Sequence, residues 1–266
     1  GLGVIEVASG EFPGLDTARV ESLDGDTAEV AWCCLVQAEG AGGAVSSLSV
    51  WNGPLVCVPH YRVSVGVSAD GSVVQVSTDF CPRAYGAYET ALGDETYPEP
   101  TSREMFSEKA VRTEYSEAFY TGEALAWLGR VKSTPGATVR PYGGAAGALP
   151  SGPLGVEMEL EASAGNLELV KAMCAEAAEM WLGWMEGAER QGQTKTQMTF
   201  AWDCKVRKAI NAYAASGYAS RFGPEAGAFL SQADAGPSDI ADRGGAMANA
   251  AKGNFVPDPN PFKEDG

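Results

Sequence analysis

Polar side chains recur at every second position of one short stretch of the chain, YRVSVGVSADGSVVQVSTDF. A carboxyl group buried beside a ligand can donate a proton if burial raises its pKa, whereas a neighbouring arginine lowers that pKa. An arginine and an aspartate on the same strip therefore favour ligand binding over proton donation. The candidate binding residues are Arg62, Ser64, Gln75, Ser77 and Asp79.

Several other kinds of site are excluded by the residue inventory. His60 is the only histidine, and it lies in no motif that would make a Ser-His-Asp triad, a Cys-His pair or a zinc site. No phosphate-binding glycine motif and no metal site is predicted. The six cysteines lack CxxC spacing, so we expect buried, reduced thiols. They are Cys33, Cys34, Cys57, Cys81, Cys174 and Cys204.

A β-hairpin is the element that must position the polar strip. Asp70 and Gly71 stand between two alternating runs, and this pattern predicts a two-residue type I′ turn. The resulting register separates a valine-rich face, which needs a core, from the polar face. The predicted pairs are Tyr61–Phe80, Arg62–Asp79, Val63–Thr78, Ser64–Ser77, Val65–Val76, Gly66–Gln75 and Val67–Val74.

The rest of the chain reads as strands followed by helices, which indicates an α+β fold. Asn166 is predicted to cap a helix, Gly217 to interrupt one, and Pro224 to begin one. Elements are predicted, in chain order, as β structure over 4–83 with stretches at 28–37 and 45–58, a helix over 101–131, a strand over 155–162, and helices over 167–190, over 197–221 and from 224.

Composition divides the chain into one domain and a tail. Residues 1–232 form the predicted domain, and 233–266 are an Ala/Gly/Pro-rich extension with too few large apolar residues to order itself. The net charge of −16 disfavours nucleic acid and acidic membrane surfaces. No run of about 18 apolar residues is present, so no membrane span is predicted.

The C-terminal half is similar to a known family. The helix LVKAMCAEAAEMWLGWMEGAER, then Asp203-x-x-x-Arg207, then Phe222-Gly223-x-Glu225 resembles the end of red chlorophyll catabolite reductases and their relatives, the ferredoxin-dependent bilin reductases. Upstream, GSVVQVSTDFCPRAYGAY and AFYTGEALAWLGRV resemble a strand and a helix of the same family. The likeness spans about residues 28–232.

The resemblance implies an α/β/α sandwich: a central antiparallel β-sheet covered by helices on both faces. It implies an open-chain tetrapyrrole between the sheet and the C-terminal helices, no cofactor bound by the chain itself, and electrons from ferredoxin. It also adds Arg207 to the candidate binding residues. The family's two proton-donating acids align with Ser64 and with Ala215 or Ser216, none of which is acidic. No catalytic residue is therefore assigned.

Three functions remain open. The preferred one is a non-catalytic reductase-like module of a plastid assembly: a structural, linker or pigment-associated subunit beside photosystem or chlorophyll-binding antenna proteins, stromal or thylakoid-associated in the chloroplast, with chlorophyll or a linear tetrapyrrole as candidate ligand. The second is an active ferredoxin-dependent tetrapyrrole reductase, which would need a basic docking patch such as Lys205, Arg207 and Lys208. The third is an unrelated soluble pigment- or lipid-binding protein, which predicts an apolar cavity.

Overall fold

The structure, a computed structural model, describes residues 2–24, 29–83, 117–142 and 154–236. In these ranges an antiparallel sheet is followed by helices, and a last short strand pair joins the sheet late in the chain. The elements are β1 (Leu2–Val7), β2 (Leu15–Asp24), β3 (Val30–Gly40), β4 (Gly43–Asn52), β5 (His60–Val67), β6 (Val73–Cys81), α1 (Gly122–Lys132), β7 (Thr138–Pro141), β8 (Val156–Glu161), α2 (Ala164–Glu186), α3 (Gln193–Phe222) and α4 (Pro224–Ala235).

The eight strands form one sheet in the order β1-β2-β3-β4-β5-β6-β8-β7, and every neighbouring pair is antiparallel. The hairpin register of β5 and β6 is confirmed at every predicted pair from Tyr61–Phe80 to Val67–Val74. The turn differs from the prediction, because the N–H of Gly71 bonds to the carbonyl of Ser68 and closes the turn over Ala69 and Asp70. Only Gly71 needs the positive φ, which is 71°.

Helices cover both faces of the sheet, so the predicted α/β/α sandwich is confirmed. On one face Tyr61 and Phe80 stack together, and they pack against Trp181 of α2 and Trp127 of α1 respectively. The valine-rich face of the hairpin belongs to this core. On the opposite face, a second core joins strands β1 to β4 to α3 and α4. Its buried members include Val20, Val36, Val45, Phe222 and Leu230.

Helix boundaries differ from the predictions where a nearby side chain caps the helix at another residue. In its described part, the predicted helix over 101–131 is helical at 117–119 and from 122 onward, but it is interrupted at Tyr120 and Thr121. The hydroxyl of Thr121 accepts the N–H of Ala124, so α1 begins at Gly122. The start of α2 is also earlier than predicted, since Ser163 rather than Asn166 is the N-cap. Residues 101–116 lie outside the described ranges.

Two further predictions about α3 and the domain end need correction. Gly217 does not interrupt α3. A glycine inside a helix costs about 1 kcal/mol relative to alanine, and the buried neighbours Tyr218 and Phe222 offset that cost. The proposed domain boundary at 232 falls inside α4, which starts at Pro224 as predicted and continues to Ala235. The remainder of the proposed tail lies outside the described residues.

Two smaller findings complete the fold. The thiols of Cys33, Cys34, Cys57, Cys81 and Cys174 are free, as predicted, and the side chain of Cys204 lies outside the described part. Among the helices that the structure describes, none is both long enough and apolar enough to cross a membrane.

Candidate functional site

Where α3 crosses the sheet, a strip of half-buried polar side chains stays accessible, and we call it the polar groove. Its floor is the strip that the hairpin alternation predicted, extended by two acidic residues of β8. Although these residues sit on interior strands, they are only half-buried, so α3 does not seal the sheet beneath it. The floor consists of Ser64, Gln75, Ser77, Glu157 and Glu159.

Two side chains of α3 reach across the groove to its floor. The hydroxyl of Tyr213 donates to the carboxylate of Glu157, and the guanidinium of Arg221 donates to the side-chain carbonyl of Gln75. Burial and the Glu157 contact raise the pKa of Tyr213 to about 12. Gly66 permits the Arg221 contact, since a Cβ on this residue would come within 2.8 Å of the guanidinium.

A buried ion pair closes one end of the groove. Arg62 of β5 donates to Asp234 of α4 at 3.0 Å, to the hydroxyl of Ser49 at 3.1 Å, and to the hydroxyl of Tyr142. All three nitrogen atoms of the guanidinium are therefore engaged. Asp79 lies opposite Arg62 in the register, as predicted, but the ion pair in the network joins Arg62 to Asp234.

The environment of Arg62 keeps it charged. Burial alone would lower the pKa of Arg62, but Tyr142, Asp234 and Asp79 raise it above its ordinary value. For Tyr142, burial raises the pKa, so its hydroxyl stays protonated at neutral pH. Near neutral pH the closed end therefore contains a charged Arg62 with the neutral phenols of Tyr142 and Tyr218 around it.

The C-terminal end of α4 is held by side chains from three other elements. Trp32 donates to the carbonyl of Ala233 at 2.9 Å, and Trp51 donates to that of Asp234 at 3.1 Å. Arg207 donates to the carbonyl of Ala235 at 2.6 and 3.1 Å. The last carbonyls of a helix have no partner within the helix, so these donors satisfy them.

A second buried network lies at the other end of α3. Asp203 accepts two bonds from Arg83, at 2.6 and 3.2 Å, and lies 3.1 Å from Nε2 of His60. The N–H of Asn52 donates to Nδ1 of His60 at 3.0 Å, so the ring must carry its proton on Nε2. Arg83 also donates to carbonyls of the loop between β4 and β5.

The two members of this network shift in pKa for different reasons. Burial would raise the pKa of Asp203, but Arg83 and His60 together lower it below its ordinary value. The pKa of His60 is lowered to about 4, mainly by burial, although Asp203 partly opposes the shift. His60 is therefore neutral at physiological pH, and its ring acts as a bridge between β4 and α3.

The lowered pKa of His60 predicts a loss of stability in acid. The unfolded chain binds the proton near pH 6.5 and the folded chain only near pH 4, so the free energy of unfolding falls as the pH decreases between these values. The complete shift corresponds to about 3 kcal/mol. Urea unfolding from about pH 7 to about pH 4.5 measures this slope.

The matched control for this prediction is His60→Gln, which keeps a side-chain acceptor and donor but does not titrate. Wild type should lose more stability than this variant over the same pH range. Parallel pH profiles would contradict the prediction. Since His60 is the only histidine, its single imidazole resonance reports the folded pKa directly.

The predicted binding residues separate into two groups in the structure. Ser64, Gln75 and Ser77 line the accessible floor of the groove. Arg62 and Asp79 are buried at its closed end.

Arg207 is also buried, and its guanidinium lies 5.0 Å from the ring centre of Trp51. It cannot contribute to an exposed basic patch for ferredoxin, which corrects that expectation. The side chains of Lys205 and Lys208 lie outside the described part of the chain.

Several residues that shape the groove, Glu159 and Arg221 among them, were missed by the sequence reasoning. Glu157 could have been found, because it alternates with apolar residues in the predicted strand over 155–162 and so must face away from the valine-rich core. Tyr142, Tyr213 and Asp234 carry no such signal. They reach the groove from a segment before β8, from a long helix and from a helix end.

The lipid-binding alternative predicted an apolar cavity, whereas the described residues form a cavity that is lined by both apolar and charged side chains. A concavity of about 490 Å³ lies on the sheet face opposite α3, beside β1 and β2. Its lining combines Val65 and Val67 with the charged groups of Glu6, Arg19 and Glu39. This mixed lining suits a protein surface better than the hydrocarbon chain of a lipid.

Comparison with known proteins supports the fold and goes no further. No family model and no curated protein matches the sequence. Among solved structures, the chain is similar to phytochromobilin synthase from tomato in complex with biliverdin, with a TM-score of 0.60 and 12% identity over 88% of this chain and 77% of that one. The chain therefore shares the fold of the ferredoxin-dependent bilin reductases, as the sequence resemblance predicted.

Proposed function

We propose that the chain is a non-catalytic module with the bilin reductase fold. The observation that carries the proposal is the chemistry of the groove at the places where the resemblance puts proton donors. Ser64 lies on the floor opposite Ser77, and the other place falls on Ala215 or Ser216 of α3. A serine hydroxyl is too weak an acid to protonate a ligand near neutral pH, and alanine has no proton to give.

The closed end of the groove supports the same proposal. Arg62 lies on the same strand face two residues before the predicted acid position at Ser64, but its donors already bond to Ser49, Tyr142 and Asp234. A ligand carboxylate could replace Asp234 only by detaching the end of α4. The network at the closed end therefore stabilises the fold, and we propose that the groove does not turn over a substrate.

The role that we propose for the module is structural or pigment-associated, within a photosystem–antenna assembly of the plastid. The neighbour of similar fold is a plant protein in complex with a linear tetrapyrrole, which favours a plastid setting and a pigment-related context. Isolation of the protein from its source under native conditions tests this role. Co-migration with a photosystem supports it, and recovery as a free monomer excludes it.

The alternative is an active ferredoxin-dependent reductase of a linear tetrapyrrole. Two acidic residues in the groove favour it: Asp79, buried on β6, and Glu157, which accepts a hydrogen bond from Tyr213. The similar tomato enzyme was solved with biliverdin, so biliverdin is the first ligand to test.

An absorbance assay with reduced ferredoxin and biliverdin separates the two functions. We expect that the wild-type protein does not reduce biliverdin, whether or not it binds it. Titration without ferredoxin measures binding separately, so a lack of binding is not mistaken for a lack of chemistry. Reduction by wild type above the protein-free rate would overturn the proposed function.

Substitution at Ser64 then tests the reason for the inactivity. Ser64→Glu supplies an acid at the aligned place, and Ser64→Gln is a control of nearly the same size whose amide has no acidic proton. A positioned acid contributes about 100-fold or more to a rate, so Ser64→Glu is expected to exceed Ser64→Gln by about tenfold even when imperfectly placed. Equal rates would show that the missing acid is not the cause.

A further inference from the structure

The two edges of the sheet differ in how they are protected. The β7 edge is four residues long and ends in Pro141, which cannot donate to another strand. Arg140 of this strand forms ion pairs with Glu157 and Glu159 of the neighbouring strand. Short length, proline and charge are the devices by which proteins prevent edge pairing.

The β1 edge is less protected, with Glu6 as the one charge among its six residues. Its sequence, LGVIEV, contains no proline and no lysine, and among the strands that the structure describes it pairs with β2 alone. Val4 is 48% exposed and Ile5 is 49% exposed. Because successive side chains point to opposite faces, the edge is apolar on both sides. Leu23 of β2 extends the apolar surface and is 43% exposed.

The sheet face beside β1 carries a complementary feature. This is the face that holds α1 and α2, which pack against β5, β6 and β8. Beside β1 it forms the concavity of about 490 Å³. Among the described residues of β1 to β3, three carboxylates, Glu6, Glu21 and Glu39, share this face with one cation, Arg19, which bonds to the first two. An acidic rim therefore adjoins the apolar edge.

We propose that the β1 edge binds an extended segment of a partner protein, which adds a ninth strand to the sheet. The backbone groups on an open edge recognise an extended backbone, and the side-chain pattern then selects the sequence. Here apolar residues of the partner pack beside Ile5 on one face, and basic residues face Glu6 on the other. The partner segment is therefore alternating, apolar and basic.

A second copy of the chain is disfavoured as the occupant. Each copy carries a net charge of −16, so two copies repel each other. The inference does not depend on whether the groove catalyses a reaction.

Fluorescence anisotropy with the full chain tests the proposal. The probe is a labelled peptide that alternates valine and lysine, and the control peptide carries N-methyl groups on every second backbone nitrogen. Methylation removes the donors of one peptide edge but keeps charge and side chains, so binding should weaken about tenfold or more. Amide exchange in residues 2–7 should slow when the unmethylated peptide is bound.

Variants of the chain complete the test. Val4→Lys/Ile5→Lys should weaken peptide binding about tenfold or more, because lysines guard an edge strand. The matched control, Leu125→Lys/Leu182→Lys, places the same charges at exposed leucines of α1 and α2 and should change binding less than about twofold.

Three results would overturn the inference: equal binding of the methylated peptide, equal binding by the β1 variant, or no binding at millimolar peptide. Dimerisation of the chain that Val4→Lys/Ile5→Lys abolishes would instead identify a second copy as the occupant, and would also overturn it. Circular dichroism of each variant shows whether the fold is kept.

Discussion

The Asp203→Asn variant is expected to lose about 3–5 kcal/mol of unfolding free energy, the usual cost of breaking a buried ion pair from one side. The substitution keeps the shape of the side chain but removes its charge and turns one acceptor into a donor. That donor would face the N–H groups of Arg83 or the Nε2–H of His60, both of which now bond to Asp203. The guanidinium of Arg83 would stay buried without this carboxylate.

Urea unfolding of Asp203→Asn beside Glu176→Gln measures the difference. Glu176 pairs with Arg130 on the surface, where the two side chains are 50% and 56% exposed. The same chemical change there should cost less than about 1 kcal/mol, because exposed ion pairs contribute little. Equal losses for the two variants would show that the Asp203 network does not stabilise the fold.

The second large effect is expected at Asp234. Asp234→Asn removes the carboxylate that accepts bonds from Arg62, Ser49 and Tyr218. We expect a loss of about 3 kcal/mol, near the lower end for a buried pair, because Asp79 still favours the charged form of Arg62. The loss should be local as well as global, with faster amide exchange along α4 than along α2.

A double variant distinguishes charge from packing at this place. Arg62→Met/Asp234→Leu removes both charges and keeps apolar volume, and such replacements are often neutral or stabilising. It should therefore be more stable than either single substitution, as urea unfolding would show. If the double variant is the least stable of the three, the buried pair contributes through hydrogen bonds to Ser49 and Tyr142 rather than through charge alone.

The strand pairing of the central hairpin was predictable from the sequence, and the reason is local. Alternation over β5 and β6 allows one register in which valines share a face, and a slip by one residue would mix the two faces. The turn was predicted less well, because Ser68 and Ser72 bond to the carboxylate of Asp70 and help set its form. Such side-chain bonds compete with simple turn rules.

The site was predictable only in part, because its decisive contacts join distant residues. Arg62 and Asp234 are 172 positions apart, and no periodicity in either segment connects them. Sequence alternation placed Arg62 on the polar face but suggested its register neighbour Asp79 as the partner. The choice between the two carboxylates depends on where α4 ends, and that end is set by Trp32, Trp51 and Arg207.

The same attachment of α4 has a mechanical consequence. Gly236 follows the helix with a φ of 71°, and a Cβ there would collide with Arg207 and Trp32. Whatever pulls on the chain beyond Gly236 therefore pulls on indole and guanidinium groups from β3, β4 and α3 at once. Load applied at this point is divided among three elements of the sandwich instead of unwinding α4 residue by residue. The end of α4 is thus an anchor that joins this helix to β3, β4 and α3.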